Sequence, residues 1–309
     1  MITRRGLATL SLLVLPSLAR AGERVRIGYQ KNGSLVLLRQ RKRLEGLGMK
    51  VAWAEFGSGP PLLEALNAGA VDFGATGDTP PLFAQAGGAD LVYVGAQPLP
   101  GQNEALLVPR DGPIQTIADL RGKRIAFTKG SSAHAMMLRV LTGAGMKPAD
   151  IQQVNLQPPD AGAAFRTGAL DAWCVWDPFF AVAELEPTTR VLTTGVGQAP
   201  SNSFFLASRA FAERAPGTVS ALLAAINEEA AWAATYPEEL AQTMAEVTGV
   251  PIAAQRVAAP RGVYAVEAVS PPIVAQQQAI ADTFTALRIL PARIDVSRAV
   301  WTAMALGEQ

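Results

Sequence analysis

The sequence predicts an α/β protein of two doubly wound lobes, joined by two crossings, with a ligand cleft between the lobes. Three observations carry that expectation. Short apolar, strand-like runs alternate with helix-like runs over brief connections, which argues for parallel sheets covered on both faces by helices. Two pairs of segments repeat at a nearly constant offset. Arg26-Ile27-Gly28-Tyr29-Gln30-Lys31-Asn32-Gly33-Ser34 resembles the run from Arg124 to Ser132, and Gly69-Ala70-Val71-Asp72 resembles Gly168-Ala169-Leu170-Asp171. Similarity at a fixed interval suggests two units built to one plan. Finally, 309 residues, 49% of them hydrophobic, suffice for two cores.

The stretch Gly69 to Gln85 is central. It begins as a short apolar strand, turns at Gly77 and starts a helix at Asp78-Thr79, with Pro80 and Pro81 in the first turn, where an amide hydrogen has no partner anyway. In the second unit, Trp176-Asp177-Pro178 occupies the matching place. A helix that starts this way offers free amides and the positive end of its dipole to an anion.

Taken in order, Val25 to Tyr29 reads as a strand, and leucines at helical spacing predict a helix from Leu35 to Leu47, stopped by Gly48. Val51 to Phe56 is the next strand; Gly57-Ser58-Gly59-Pro60-Pro61 then opens a helix bearing Leu62, Leu63 and Leu66. After the central junction, Leu91 to Ala96 is a strand. Glu104 to Val108 reads as the first crossing and Ser203 to Ala207 as the return. Between them lie strands at Arg124 to Phe127, Gln153 to Leu156 and around Cys174, with a helix start at Ser131-Ser132. From Phe211 the chain is helical and alanine-rich, punctuated by Pro216, Pro237 and Pro251, and Val300-Trp301 is expected to fill a last apolar groove of the first lobe. The expected divisions are 22–105 with 206–309, and 106–205.

Residues 1–21 have the features of an export signal. Arg4 and Arg5 precede an apolar run, Leu7 to Leu18, that is short for a membrane span, and Ala19-Arg20-Ala21 fits a cleavage site. Either the general secretory or the twin-arginine route is open. Removal takes away three arginines and no acid, leaving 24 cationic residues against 26 anionic ones. That balance gives no electrostatic claim on nucleic acid or anionic lipid. The single Cys174 cannot form an internal disulfide and is expected to be buried and inert.

In sheets of this kind, ligands bind beyond the carboxyl ends of the strands. Five helix starts follow strands: Gly33-Ser34, Ser58-Gly59, Asp78-Thr79, Ser131-Ser132 and Asp177-Pro178. Facing lobes would bring them to one point, where a compact anion could close the cleft.

Several of these segments resemble a known family. The run Ala54 to Ala89, with Gly57-Ser58-Gly59-Pro60-Pro61 and Gly77-Asp78-Thr79-Pro80-Pro81, is similar to the aliphatic-sulfonate-binding proteins of bacterial ABC importers. So are Lys129-Gly130-Ser131-Ser132-Ala133-His134, Asp171-Ala172-Trp173, Val175-Trp176-Asp177-Pro178, Gln276-Gln277-Gln278 and Ala299-Val300-Trp301. The resemblance covers the whole mature chain. It implies the type II periplasmic-binding-protein fold of the nitrate, sulfonate and taurine group. It also implies a periplasmic, monomeric receptor that delivers an alkanesulfonate to an inner-membrane permease, with no cofactor.

A sulfonate offers three acceptor oxygens and a permanent negative charge. Amides near Ser58-Gly59, Thr79 and Ser132-Ala133, and the hydroxyls of Ser58, Thr79, Ser131 and Ser132, suit it, and Gly77 at the turn before Asp78 is a further candidate contact. Gln30 and Lys31 end the first strand and are candidates for the cleft wall, although Lys129 has an equal claim to supply a cation. His134, the only histidine, sits in a first helical turn without the partners of a triad or metal site, so it lines the cleft or packs. Trp176 is a cover for an alkyl chain, with Trp173 in the core. Asp78 and Asp177 would repel a sulfonate unless each caps its own helix; alternatively Asp177 meets the ammonium of an amino-sulfonate such as taurine. Phe204 completes the wall or belongs to the core. Rival readings are a receptor for nitrate, bicarbonate or a pyrimidine precursor, and an enzyme of sulfur or thiamine metabolism. The lack of any cysteine before Cys174 counts against the enzyme.

Overall fold

A computed structural model describes residues 24–302; the expected export signal lies outside them. The first lobe opens with β1 (Arg24–Tyr29), α1 (Ser34–Gln40), α2 (Arg43–Gly46), β2 (Lys50–Glu55), α3 (Gly59–Asn67), β3 (Phe73–Gly77), α4 (Thr79–Ala86) and β4 (Leu91–Leu99). The chain then crosses to β5 (Glu104–Pro109), β6 (Arg124–Phe127), α5 (Ser132–Gly143), β7 (Gln152–Asn155), α6 (Pro158–Arg166), β8 (Ala172–Trp176), α7 (Phe179–Glu184) and β9 (Thr189–Thr194). It returns as β10 (Ser201–Ser208), followed by α8 (Arg209–Arg214), α9 (Pro216–Thr235), α10 (Pro237–Thr248), α11 (Ile252–Ala258) and α12 (Pro271–Ala286).

The two sheets have the same plan. One has the order β2-β1-β3-β10-β4 and the other β7-β6-β8-β5-β9. Each contains one antiparallel strand, and in both it is the strand that has just arrived from the other lobe: β10 between β3 and β4, β5 between β8 and β9. The segments expected to be crossings are therefore sheet strands. Their continuous apolar character, which looks like a buried connection, is what a strand covered on both faces requires. The true crossings are the links after β4 and β9, and they touch. A Cβ on Gly101, which has φ +79°, would lie 2.4 Å from the Gly195 carbonyl carbon.

The repeat has a side-chain signature. The Arg26 amide and Nε both donate to Asp72 Oδ2 at 2.9 Å, and Nη2 donates to Oδ1. Arg124 repeats the grip on Asp171 at 2.8, 3.1 and 2.9 Å. In both lobes an arginine of one strand (β1, β6) thus holds the aspartate that leads into its parallel neighbour (β3, β8).

The long helix expected from Leu35 to Leu47 is two. Lys42 adopts a left-handed conformation (φ 51°), while Arg41 pairs with Glu229 and stacks over Trp232 at 3.8 Å. The turn aims Arg41 at α9. Helices α9 and α10 pack on α1 in the first core, α12 covers the sheet's other face, and Trp301 joins the first core, its backbone amide donating a hydrogen bond to the Tyr93 carbonyl. The second lobe has a separate core, from Ala105 to Ala183. Helix α11 leaves the first lobe to rest on α7.

Candidate functional site

The carboxyl ends of the strands in the two lobes face each other across a cleft. At its inner end lies an empty space of about 690 Å³, open to solvent. Four of the five expected helix starts reach its wall, through Gly33-Ser34, Gly59, Gly77 with Pro80, and Ser131-Ser132. Helices α1, α3, α4 and α5 carry no side-chain cap on their first amides. Those donors lack a partner within their helices and suit an anion. The rest of the wall is polar but uncharged, with Gln30, Asn32, Thr76, Gln97, Asn103 and Ser203, apart from Glu104. Trp176, edge-on to Phe179, and Phe205 supply apolar surface.

No cationic side chain lines this end of the cleft among the described residues. Lys31 borders its continuation, where its ammonium donates to the Thr248 carbonyl at 3.2 Å and lies 3.7 Å from Glu55. Lys129 is exposed. Attraction for an anion therefore rests on helix ends and neutral donors.

Some of the expected contact residues stand one layer back. Ser58 is fully buried behind Gly59, with an unpaired hydroxyl. Thr79 is buried too, and its hydroxyl donates to Asp78 Oδ1 at 2.8 Å. His134 accepts from the Gly130 amide at 3.2 Å and stacks on Phe127, with its ring edge-on to Phe284 of the other lobe. Burial pushes its imidazole down to about 4, so it is neutral. Phe204 turns to the opposite sheet face, edge-on to Tyr93, and strand alternation puts Ser203 and Phe205 on the wall instead. Ser131 reaches the wall with its hydroxyl donated to the Thr128 carbonyl.

The aspartates behave differently from each other. Asp177 caps α7 by accepting from the Ala181 amide at 3.0 Å, and it borders the cleft's continuation. Burial raises its carboxyl to about 7, against the pull of Arg261. Asp78 makes no cap bond to its helix. It points across the lobe boundary, with Oδ2 3.6 Å from Nη1 of Arg139 on α5, and the same guanidinium approaches Glu104 at 3.8 Å. Burial raises both carboxyls, that of Glu104 to about 7.

Further contacts join the lobes. A Cβ on Gly77 would come within 2.9 Å of the Ser132 Cβ. Asn32 donates to the Asp177 carbonyl at 3.4 Å. Arg261 lies 3.7 Å from Asp177, bonds Glu184 at 2.5 Å and lies over the Phe180 ring. Together these contacts tie the two lobes to each other around the cleft.

Sequence reasoning missed Asn103, Glu104, Arg139, Arg261 and Tyr264. No local signal marks them, because each reaches the site through tertiary pairing of strands or docking of helices.

Comparison with known proteins agrees with this geometry. Residues 45–240 match the family model described as NMT1/THI5 like. An Escherichia coli protein named for binding aliphatic sulfonates is 41% identical over 305 residues, 96% of this chain and 95% of its own. The alkanesulfonate-binding protein SsuA of Xanthomonas axonopodis pv. citri, solved with MOPS bound, superposes with a TM-score of 0.87 at 42% identity, covering 93% of this chain and 100% of that one. The periplasmic aliphatic sulphonate binding protein SsuA of Escherichia coli does so at 0.84 and 40%, covering 93% and 94%. The chain belongs to the NMT1/THI5-like family, on the branch that holds the aliphatic-sulfonate-binding proteins.

Proposed function

We propose that this chain is an exported receptor that captures aliphatic sulfonates in the periplasm and delivers them to an ABC importer for sulfur supply. The observation that carries this reading is the inner end of the cleft. Uncapped helix starts from both lobes meet there beside neutral hydroxyl and amide side chains, with no cation on the wall. A sulfonate keeps its charge at every physiological pH and needs only donors. Charge-assisted hydrogen bonds contribute roughly 1.5–3 kcal/mol each, so a few account for micromolar capture. Trp176 and Phe205 offer apolar surface to the carbon chain.

The receptor acts as a monomer, without catalysis. Cys174 is buried, donates its thiol to the Ala133 carbonyl, and has its acidity suppressed by burial; a nucleophilic thiol needs the opposite surroundings. His134, stacked and neutral, has no acid–base partner. No helix among the described residues is long and apolar enough to cross a membrane, in keeping with delivery to a separate permease.

The test is a thermal-shift and calorimetric panel of ethanesulfonate, butanesulfonate, taurine, sulfate, nitrate and bicarbonate, in phosphate buffer because many common buffers are themselves sulfonates. A sulfonate at 100 times its Kd stabilises the protein by about 2.7 kcal/mol. A response to nitrate or bicarbonate with none to any sulfonate rejects the reading.

A further inference from the structure

The cluster of Asp78, Glu104 and Arg139 sits beside the anion end of the cleft with unbalanced charge. It holds two carboxyls and one guanidinium. Arg139 lies 3.6 Å from one carboxyl and 3.8 Å from the other, beyond good hydrogen-bond length to either, and its Nε and Nη1 have no hydrogen-bond partner. Asp78 and Glu104 are almost completely buried. With both acids ionised, a net negative charge stands in a region of low dielectric, beside the place where a second negative charge must settle.

The two acids are not equivalent. Asp78 already receives the Thr79 hydroxyl and does not reach the cavity. Glu104 is on the cavity wall, next to the helix start at Ser132 and the Gly77 turn. The titratable or charged groups that face it are Arg139 from α5, Asp78 from the start of α4 and the un-ionised thiol of Cys174 from β8. An ionised Glu104 opposes a sulfonate there. A protonated one turns into a donor and adds an O–H to the surrounding amides. Because a sulfonate brings no proton of its own, that proton must come from solvent.

Resting on the sulfonate reading above, we propose that Glu104 is a ligand-contacting residue that holds a proton in the bound state, so that capture of a sulfonate by the ionised form takes up one proton. Burial places the free carboxyl at about 7, which puts the coupling within the neutral range. Below that pH the proton is already in place and affinity is flat. Above it, affinity falls about tenfold per pH unit until the carboxyl of the complex also ionises.

The experiment is calorimetry of butanesulfonate binding in phosphate, imidazole and Tris, whose heats of ionisation differ. The expected result is uptake approaching one proton per ligand at pH 8, falling towards zero at pH 6, with Kd weakening in step. Glu104→Gln should abolish the uptake and flatten the pH dependence. Firm binding at pH 8 without proton uptake overturns the inference and leaves the receptor reading intact. Undiminished uptake in Glu104→Gln overturns the assignment to Glu104. Failure of every sulfonate to bind at any pH removes the receptor reading and this inference with it. The wild-type proton count is decisive by itself should the variant fold poorly.

Discussion

Gly77 of the first lobe lies against Ser132 of the second so closely that a Cβ on Gly77 would stand 2.9 Å from the Ser132 Cβ. The contact brings the start of α4 up to that of α5 at the anion end of the cleft. Gly77 has an ordinary negative φ, so alanine strains nothing within its own lobe. Gly77→Ala should therefore fold normally yet resist closure. Overpacking of this kind costs about 1–3 kcal/mol, equivalent to roughly 5- to 150-fold in Kd. Calorimetry should show weaker sulfonate binding with an unchanged Tm of the free protein; a drop in Tm without loss of affinity would contradict the closure account.

The paired arginine–aspartate grips offer a second test. Arg26–Asp72 and Arg124–Asp171 have the same hydrogen-bond pattern, but the Asp72 side chain is 6% exposed and that of Asp171 30%. Both arginines are 43% exposed, so the two pairs differ only in how far water screens the carboxylate, which is less at Asp72 than at Asp171. Asp72→Ala should cost about 1–2 kcal/mol of folding stability, more than Asp171→Ala at about 1 kcal/mol or less. Urea unfolding of the two variants checks the ranking; equal losses would contradict it.

That repeat also shows what the sequence could reveal. Gly-Ala-Val-Asp and Gly-Ala-Leu-Asp announce the grips, because the arginine, the aspartate and the strands they join keep one spacing in both lobes. Helix starts were legible for a similar reason: glycine, serine, aspartate and proline act on their own neighbours in the chain. The antiparallel strands β5 and β10 were not, since nothing local tells a buried strand from an apolar crossing. With β10 misread, the alternation that puts Phe205 on the cleft wall and Phe204 behind it was out of reach. Arg139 and Arg261 were equally hidden, because a long cation inside a helix declares its partner only once the lobes have docked.

Arg261 yields the third prediction. It reaches from the first lobe to Asp177, Glu184 and the Phe180 ring, all in the second. Arg261→Ala removes that clasp without touching the anion end of the cleft. Sulfonate affinity should fall about three- to thirtyfold, the range of one to two charge-assisted contacts after solvent screening. Small-angle scattering of the unliganded variant should show a larger radius of gyration, because the closed form loses a tie that the open form never had. Unchanged scattering and affinity would leave Arg261 a purely local role.

His134 gives the fourth, through pH. Its imidazole falls to about 4 in the folded chain, against 6.5 for the ordinary side chain, because it is buried between Phe127 and Phe284. The folded state therefore favours the neutral ring. The corresponding stability is complete above pH 6.5 and drains away as pH falls towards 4, since the unfolded chain takes up the proton first. Between pH 7.5 and pH 5 this one residue should account for about 2 kcal/mol of lost stability, at 1.36 kcal/mol per unit. Glu104 and Asp177, whose carboxyls burial raises, oppose it over the same range, since their protonated forms suit the fold. The comparison must for that reason be made with His134→Gln, which keeps the two acids and removes only the imidazole. The change in stability from pH 7.5 to pH 5 should be more favourable in the variant than in the wild type, by about the same 2 kcal/mol. Parallel pH profiles for the two proteins would mean that the ring titrates normally despite its packing.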